Sequence, residues 1–283
     1  MQTATTLEVL RSALAQLRAE GKRVALVPTM GALHEGHLTL VREARRRADA
    51  VVTSIFVNPK QFGQNEDLDA YPRQLAQDSA MLKAEGVDLL WAPTVTAMYP
   101  HGFASNVSVA GVSEGLCGAQ RPGHFDGVAT VVLKLFNQVQ PDVALFGEKD
   151  WQQLSVIRRM ARDLDLTEPH VEAIVGVPTV READGLALSS RNRYLSPEQR
   201  AQAAALPQAM RETIAALAAG SAVAPTLAAL EAHLLQAGFD SVDYAQLADA
   251  ENLTPLEMHG ERRARLLVAA RIGGTRLIDN MAV

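Results

Sequence analysis

Val24-Ala-Leu-Val27 leads through Pro28 and Thr29 into Met30-Gly-Ala-Leu-His-Glu-Gly-His37, after which apolar residues recur at Leu38, Val41 and Ala44. The first four residues form the short apolar run of a buried strand, whereas the last three have helical spacing. Gly31 and Gly36 punctuate the loop between them. The stretch therefore predicts a strand, a glycine-bearing turn and a helix in immediate succession. A helix N-terminus carries unpaired backbone N–H groups and the positive end of the helix dipole, so such a turn suits phosphate oxygens. Gly36 leaves room for close approach, and His34 and His37 add imidazole N–H donors for charge building on a phosphate. Two histidines three apart also raise a metal reading, but the intervening glycine and the lack of a third ligand favour charge stabilisation.

Working outward, Leu7, Leu10, Leu14 and Leu17 followed by Gly21 predict an amphipathic helix before this unit. After it, Val51–Val57 reads as a β-branched strand, Leu75–Lys83 as a helix and Val87–Trp91 as another strand. An irregular, glycine-rich stretch from Tyr99 to Gly123 gives way to helical spacing at Val128, Val131, Val132, Leu135, Phe136 and Val139. Val143–Phe146 is a predicted strand, Trp151 to Leu164 a helix and Val171–Val177 one more strand. This alternation calls for an α/β fold with a doubly wound, Rossmann-like parallel sheet, whose ligands gather beyond the strand ends. The pattern changes near Asp184. Pro197 opens an alanine-rich helix, and Val242–Leu247, Arg265–Ala270 and a hairpin turn at Ile272-Gly-Gly-Thr275 before Leu277 and Ile278 predict a small, antiparallel α+β unit. The expected division is 1–185 and 186–283.

Composition narrows the function. Of 283 residues 48% are apolar and 21% charged, an ordinary globular balance. A net charge of −5 argues against a broad nucleic-acid-binding face, so the expected partners are small molecules. The triplet Arg45-Arg46-Arg47 reads as a solvated helix end. Cys117, the single cysteine, excludes an intrachain disulfide and a multi-thiolate zinc site and suits the reducing cytoplasm. There is no run of 18 apolar residues, and Arg11 and Arg18 interrupt the segment where a secretory signal would need an apolar block, so neither a membrane span nor an export signal is expected.

Two further motifs carry chemistry. Gly147-Glu-Lys-Asp150 sits at the end of a predicted strand and the start of a helix; Lys149 supplies a compact positive charge for a phosphate, and Asp150 can orient that lysine or reach a nucleotide-bound magnesium ion. Leu188-Ser-Ser-Arg-Asn192, at the expected domain junction, offers two hydroxyls and a guanidinium fork to an oxyanion-rich ligand. When a carboxylate attacks the α-phosphorus of ATP, negative charge meets negative charge. His34, His37, Lys149 and Arg191 form a set able to offset it, while Gln61 and Gln153 can satisfy a small polar acid without adding charge.

Five ordered blocks, Val27-Pro-Thr-Met-Gly-Ala-Leu-His-Glu-Gly-His37, Ile55-Phe-Val-Asn-Pro-Lys-Gln-Phe-Gly63, Arg121-Pro-Gly-His-Phe125, Phe146-Gly-Glu-Lys-Asp-Trp-Gln-Gln153 and Gly185-Leu-Ala-Leu-Ser-Ser-Arg-Asn192, make the chain resemble the pantothenate synthetase family of pantoate–β-alanine ligases, within the HIGH-type nucleotidyltransferases. The resemblance implies ATP contacts at Met30, Gly31, Ala32, Leu33, His34, Glu35, Gly36 and His37, at Gly147, Glu148, Lys149 and Asp150, at Val180, and at Leu188, Ser189, Ser190 and Arg191. It implies pantoate contacts from Gln61 and Gln153, with Gln61 also near β-alanine, and His37 as proton donor or charge stabiliser. Pro28, Asn58, Arg121 and His124 are expected close by. Arg191 departs from the lysine-bearing loop of related synthetases, and Leu166–His170 looks a few residues longer than the family pattern. The implied reaction is AMP-forming, with ATP and Mg2+, a pantoyl adenylate intermediate, residues 1–185 binding nucleotide and pantoate, residues 186–283 acting as a lid, and a homodimeric enzyme. Alternatives are another HIGH-type nucleotidyltransferase, which would not respond to an added amine, and a non-catalytic nucleotide-binding module, which would lack turnover.

Overall fold

A computed structural model describes residues 1–63, 68 and 71–283. The chain runs through β1 (Gln2–Ala4), α1 (Leu7–Ala19), β2 (Val24–Thr29), α2 (Glu35–Arg47), β3 (Ala50–Ile55), α3 (Leu75–Ala84), β4 (Leu89–Trp91), α4 (Val95–Met98), α5 (Cys117–Gln120), α6 (His124–Val139), β5 (Val143–Gly147), α7 (Trp151–Asp163) and β6 (Ile174–Val177). It continues through α8 (Pro197–Ala203), α9 (Ala205–Ala218), α10 (Val223–Gln236), β7 (Ser241–Asp249), β8 (Ala264–Ile272) and β9 (Thr275–Ala282).

Strands β1 to β6 form one parallel sheet in the order β1-β4-β3-β2-β5-β6. Alternation along β2 explains why helices cover both faces. Val24 and Leu26 join a core with Leu10 and Leu14 of α1, Val128 and Phe136 of α6 and Leu154 of α7. Ala25 and Val27 face the other way, onto Leu40 and Val41 of α2 and Leu82 of α3. All four β2 residues are fully buried, and removing Leu26 and Val27 from water stabilises the fold by about 1.5–3 kcal/mol each.

Strands β7, β8 and β9 form the antiparallel sheet, with β8 in the centre. Gly273 and Gly274, at φ +55° and +75°, make the two-residue turn between β8 and β9, where both central residues need the left-handed region. One face of β8, through Leu266, Val268 and Ala270, packs on Met210 of α9 and Leu234 of α10. Leu267 points oppositely and joins the large core of the parallel sheet.

Two local readings change. β1 was not anticipated; it is three residues long and exists as a strand through its parallel pairing with β4. Val171–Ala173, read as the start of a strand, is a 3-10 turn because the His170 side chain accepts a hydrogen bond from the Glu172 N–H at 3.3 Å, and β6 begins at Ile174. The arginine triplet does lie at the exposed end of α2, where Arg46 and Arg47 pair with Glu43 and Arg45 donates to the Glu85 and Gly86 carbonyls. Among the described residues no helix is long and apolar enough to cross a membrane.

Candidate active site

From β2 the chain steps outward to β3 on one side, whereas β5 and β6 build on the other side of β2. The loops after β2 and β5 thus flank the point where strand order reverses, the usual crevice of an open α/β sheet. These are the loops holding residues 30–37 and 147–150.

Helix α2 begins with a reciprocal cap made of imidazoles. His34 Nδ1 accepts from the Gly36 N–H at 3.1 Å, and His37 Nδ1 accepts from the His34 N–H at 3.4 Å. A neutral ring that accepts at Nδ1 carries its proton on Nε2, so both histidines retain an Nε2–H donor. Their neutrality has a physical cause. Burial, reinforced by the positive charges of Lys149 and Arg193, lowers the His34 pKa to about 4. Deeper burial, with His34 alongside, lowers that of His37 to about 3. The two rings lie 4.2 Å apart between centroids.

The turn feeding this cap is buried and held from a distance. Gly31 and Ala32 adopt φ of +85° and +50°. The fully buried Asp78 of α3 accepts from the Ala32 N–H at 2.9 Å and the Leu33 N–H at 3.0 Å. A Cβ on Gly31 would stand 3.0 Å from an Asp78 oxygen, so glycine is needed there for space as well as for φ.

A second group of side chains sets Gln61. Buried Asn58 donates to Gln61 Oε1 and to the Gly127 carbonyl, both at 3.0 Å, and accepts from the Tyr99 hydroxyl at 2.9 Å. The Gln61 carbonyl accepts from Arg121 at 3.1 Å and from His124 Nδ1 at 2.9 Å. Helix α6 approaches so closely that a Cβ on Gly127 would fall 2.2 Å from the Lys60 carbonyl oxygen.

A cavity of about 240 Å³ gathers most of the expected residues. Pro28, Met30, His34, Gly36 and His37 line it with Gly147, Lys149 and Asp150. Gln61 and Gln153 line it too, as do Val180, Leu188, Ser189, Ser190, Arg191, Arg121 and His124. It shares Lys149, Asp150, Gln153, Ser189 and Arg191 with a wider cavity of about 760 Å³ that reaches Arg276 and Gly274 at the small sheet. Gly31, Ala32 and Leu33 are buried and line neither cavity. Glu35 lies at the surface paired with Arg42, and the Glu148 carboxylate is bound by Arg265 at 3.0 Å, so neither acidic side chain adds negative charge to the cavity. Asn58 borders the group through its contact with Gln61 rather than through the cavity wall. Lys149 Nζ lies 3.8 Å from Asp150 Oδ2, long for an ion pair, and both residues line the two cavities.

Sequence reasoning missed Asp78, Arg193, Arg265 and Asn280. Asp78, Arg265 and Asn280 reach the site from sequence-distant elements, whereas Arg193 lies on the same short turn as Arg191, and none of the four belongs to a motif that marks it.

The family model described as pantoate-beta-alanine ligase matches residues 2–282. A pantothenate synthetase of Novosphingobium aromaticivorans is 70% identical over 283 residues, covering 100% of this chain and 99% of that one. One from Sphingopyxis alaskensis is 60% identical over 283 residues, with 100% of each chain covered. The crystal structure of pantothenate synthetase from Thermus thermophilus superimposes with a TM-score of 0.92 at 50% identity, covering 99% of both chains. That of the pantoate-beta-alanine ligase from Francisella tularensis, complexed with beta-gamma ATP and beta-alanine, gives 0.84 at 32% identity over 100% of this chain and 97% of that one. With a full-length family match and relatives of this identity, the chain belongs to the pantoate–β-alanine ligase family.

Proposed function

We propose that this enzyme condenses pantoate with β-alanine at the expense of ATP, giving pantothenate, AMP and pyrophosphate. A pantoate carboxylate oxygen attacks the α-phosphorus, forming the acyl–phosphate bond and breaking the bond to the β-phosphate, so that pyrophosphate leaves. The neutral amine of β-alanine then attacks the acyl carbon; the amide bond forms as the nitrogen releases a proton to solvent, and AMP departs with the electron pair of the acyl–oxygen bond.

The observation that carries this reading is the reciprocally capped histidine pair at the start of α2, lining the same cavity as Lys149 and Arg191. Neutral Nε2–H donors and the α2 N-terminus stabilise charge on the phosphate chain without requiring a buried imidazolium. Lys149 supplies a point charge and Arg191 a planar fork for the departing pyrophosphate. Gln61 and Gln153 hold pantoate through amide hydrogen bonds, which bind a hydroxy acid without drawing a second anion into the site. Glu148 and Glu35, engaged by arginines elsewhere, leave Asp150 as the carboxylate nearest the phosphates.

Mg2+ fits that donor set in a restricted way. Among the described residues no group of three or more His, Cys, Asp or Glu side chains stands ready to hold an ion. A single carboxylate such as Asp150 suits an ion that arrives on the nucleotide and keeps phosphate oxygens and waters as its other ligands. Bound there, the ion would neutralise charge on the phosphates. The same reading assigns residues 1–185 to nucleotide and pantoate binding and residues 186–283 to a lid, in a cytoplasmic enzyme acting as a homodimer.

Exchange of labelled pyrophosphate into ATP tests the mechanism. With pantoate and Mg2+ present and β-alanine omitted, exchange is expected, and adding β-alanine should yield AMP. Exchange that is independent of pantoate, or ADP as the nucleotide product, would refute the adenylate route.

A further inference from the structure

We infer that Asn280, on β9 of the C-terminal sheet, is a positioning residue for Lys149, an inference that rests on the role proposed above for that lysine. The Asn280 amide is buried, and its Nδ2 donates to two successive carbonyls, those of Glu148 and Lys149, each at 2.9 Å. Its Oδ1 accepts from the Arg265 guanidinium on the neighbouring strand β8. Arg265 in turn binds Glu148 Oε2 at 3.0 Å and stacks 3.4 Å from the ring centre of Trp151, the first residue of α7. The short turn from Glu148 to Asp150 and the start of α7 have no side-chain cap of their own. The fastening of this turn thus comes from the small sheet, more than a hundred residues later in the chain.

The neighbouring residue performs the matching task on the opposite face of the strand, as alternation requires. Buried Asp279 accepts two hydrogen bonds from Arg181, at 2.7 and 2.9 Å, and Arg181 directly follows Val180 at the cavity wall. Adjacent residues of β9 therefore hold two separate segments of the site. Lys149 has a long, rotamer-rich side chain, and its ammonium can be delivered reproducibly only if the backbone at its root is fixed. The chemistry at position 280 is specific: two carbonyl oxygens demand a double donor and Arg265 demands an acceptor, which a carboxamide supplies and a carboxylate does not.

A double-mutant cycle tests the inference. Asn280→Ala and Asn280→Ser are each made alone and in a Lys149→Ala background. The measured quantity is kcat/KM for ATP, from pyrophosphate release at saturating pantoate and β-alanine. Asn280→Ala should lower it about tenfold when Lys149 is present and less than twofold when it is absent, with Asn280→Ser falling between. A loss by the same factor in both backgrounds is what a merely structural role gives, and it overturns the inference while leaving the role of Lys149 standing. Unchanged kcat/KM in Asn280→Ala overturns it as well. Should Asn280→Ala fail to fold, the serine cycle decides by the same ratio. Full activity in Lys149→Ala alone would overturn the reading on which the inference rests.

Discussion

Replacing Asp78 by alanine should damage both the stability and the turnover of this enzyme, although Asp78 lines neither cavity. Its carboxylate accepts the Ala32 and Leu33 N–H groups at 2.9 and 3.0 Å and the Gln74 amide at 3.2 Å. Ala32 and Leu33 are themselves sealed from solvent, so alanine at position 78 would strand two backbone donors. Each buried, unsatisfied donor costs about 1–3 kcal/mol, which for two donors sets the loss at about 2–6 kcal/mol. That is a large share of a total stability of about 5–15 kcal/mol. For 283 residues the unfolding entropy is about 0.6 kcal/mol/K, so the melting midpoint should fall by about 3–10 °C. Left-handed Ala32 is also strained by about 1–2 kcal/mol and depends on these hydrogen bonds. The turn that presents His34 and His37 should therefore loosen, and kcat should drop about tenfold or more at temperatures where the variant is still folded. Asp78→Asn, which keeps one acceptor oxygen, should fall between. Calorimetry paired with pyrophosphate release is the assay, and an Asp78→Ala protein melting within about 2 °C of the parent at unchanged kcat would refute the reasoning.

Lys149→Ala and His37→Ala should each lower kcat by about 10²–10³, the usual effect of removing a group that stabilises developing charge; turnover near the parent value at saturating substrates would remove either from the mechanism. Gln61→Ala should weaken pantoate use by about 1–3 kcal/mol while ATP still raises the melting midpoint. Gly127→Ala should weaken pantoate use in the same direction, because the added Cβ would fall 2.2 Å from the Lys60 carbonyl oxygen and displace the turn carrying Gln61; equal losses for both ligands would place Gln61 outside the acid pocket. His37 and His34 stay neutral in the folded chain down to about 3 and about 4, whereas an unfolded imidazole protonates near 6.5. Below pH 6.5 the unfolded chain binds more protons, so stability should fall as pH drops, with His37 contributing a loss of about 2 kcal/mol by pH 5 and neither histidine adding a slope above pH 7. Urea midpoints that are equal at pH 7.5 and pH 5 would contradict this.

The fold was legible where the determinants are local. Val24–Val27 followed by two glycines and the Leu38, Val41, Ala44 spacing carries its own strand, turn and helix, and Gly273-Gly274 carries its own hairpin. β1 was not legible, because three residues become a strand only when β4, over 80 positions later, lies alongside. The site divides the same way. His34, His37, Lys149 and Arg191 stand out as polar groups on turns after apolar runs. Asp78 and Asn280 act on backbone atoms 45 and 131 residues away, distances over which no periodicity or motif extends. The capping by the histidines was also hidden: their spacing is equally that of a helix cap, and in the structure both Nδ1 atoms accept backbone N–H groups at the start of α2.

The stacking of Arg265 on Trp151 gives the protein an optical property. The chain has two tryptophans. Trp91 is fully buried in the parallel sheet with its indole N–H on Gln138, a surrounding that stays constant so long as the sheet is folded. Trp151 instead receives a guanidinium on its face and donates its N–H to the Ala250 carbonyl, so both of its polar neighbours belong to the C-terminal part of the chain. A Trp91→Phe protein thus holds a single emitter whose fluorescence depends on whether the small sheet is seated. Separation of the sheet from the 148–150 turn strips the indole of its cation and its hydrogen-bond acceptor at once, and the emission of Trp151 becomes a built-in gauge of that contact during turnover.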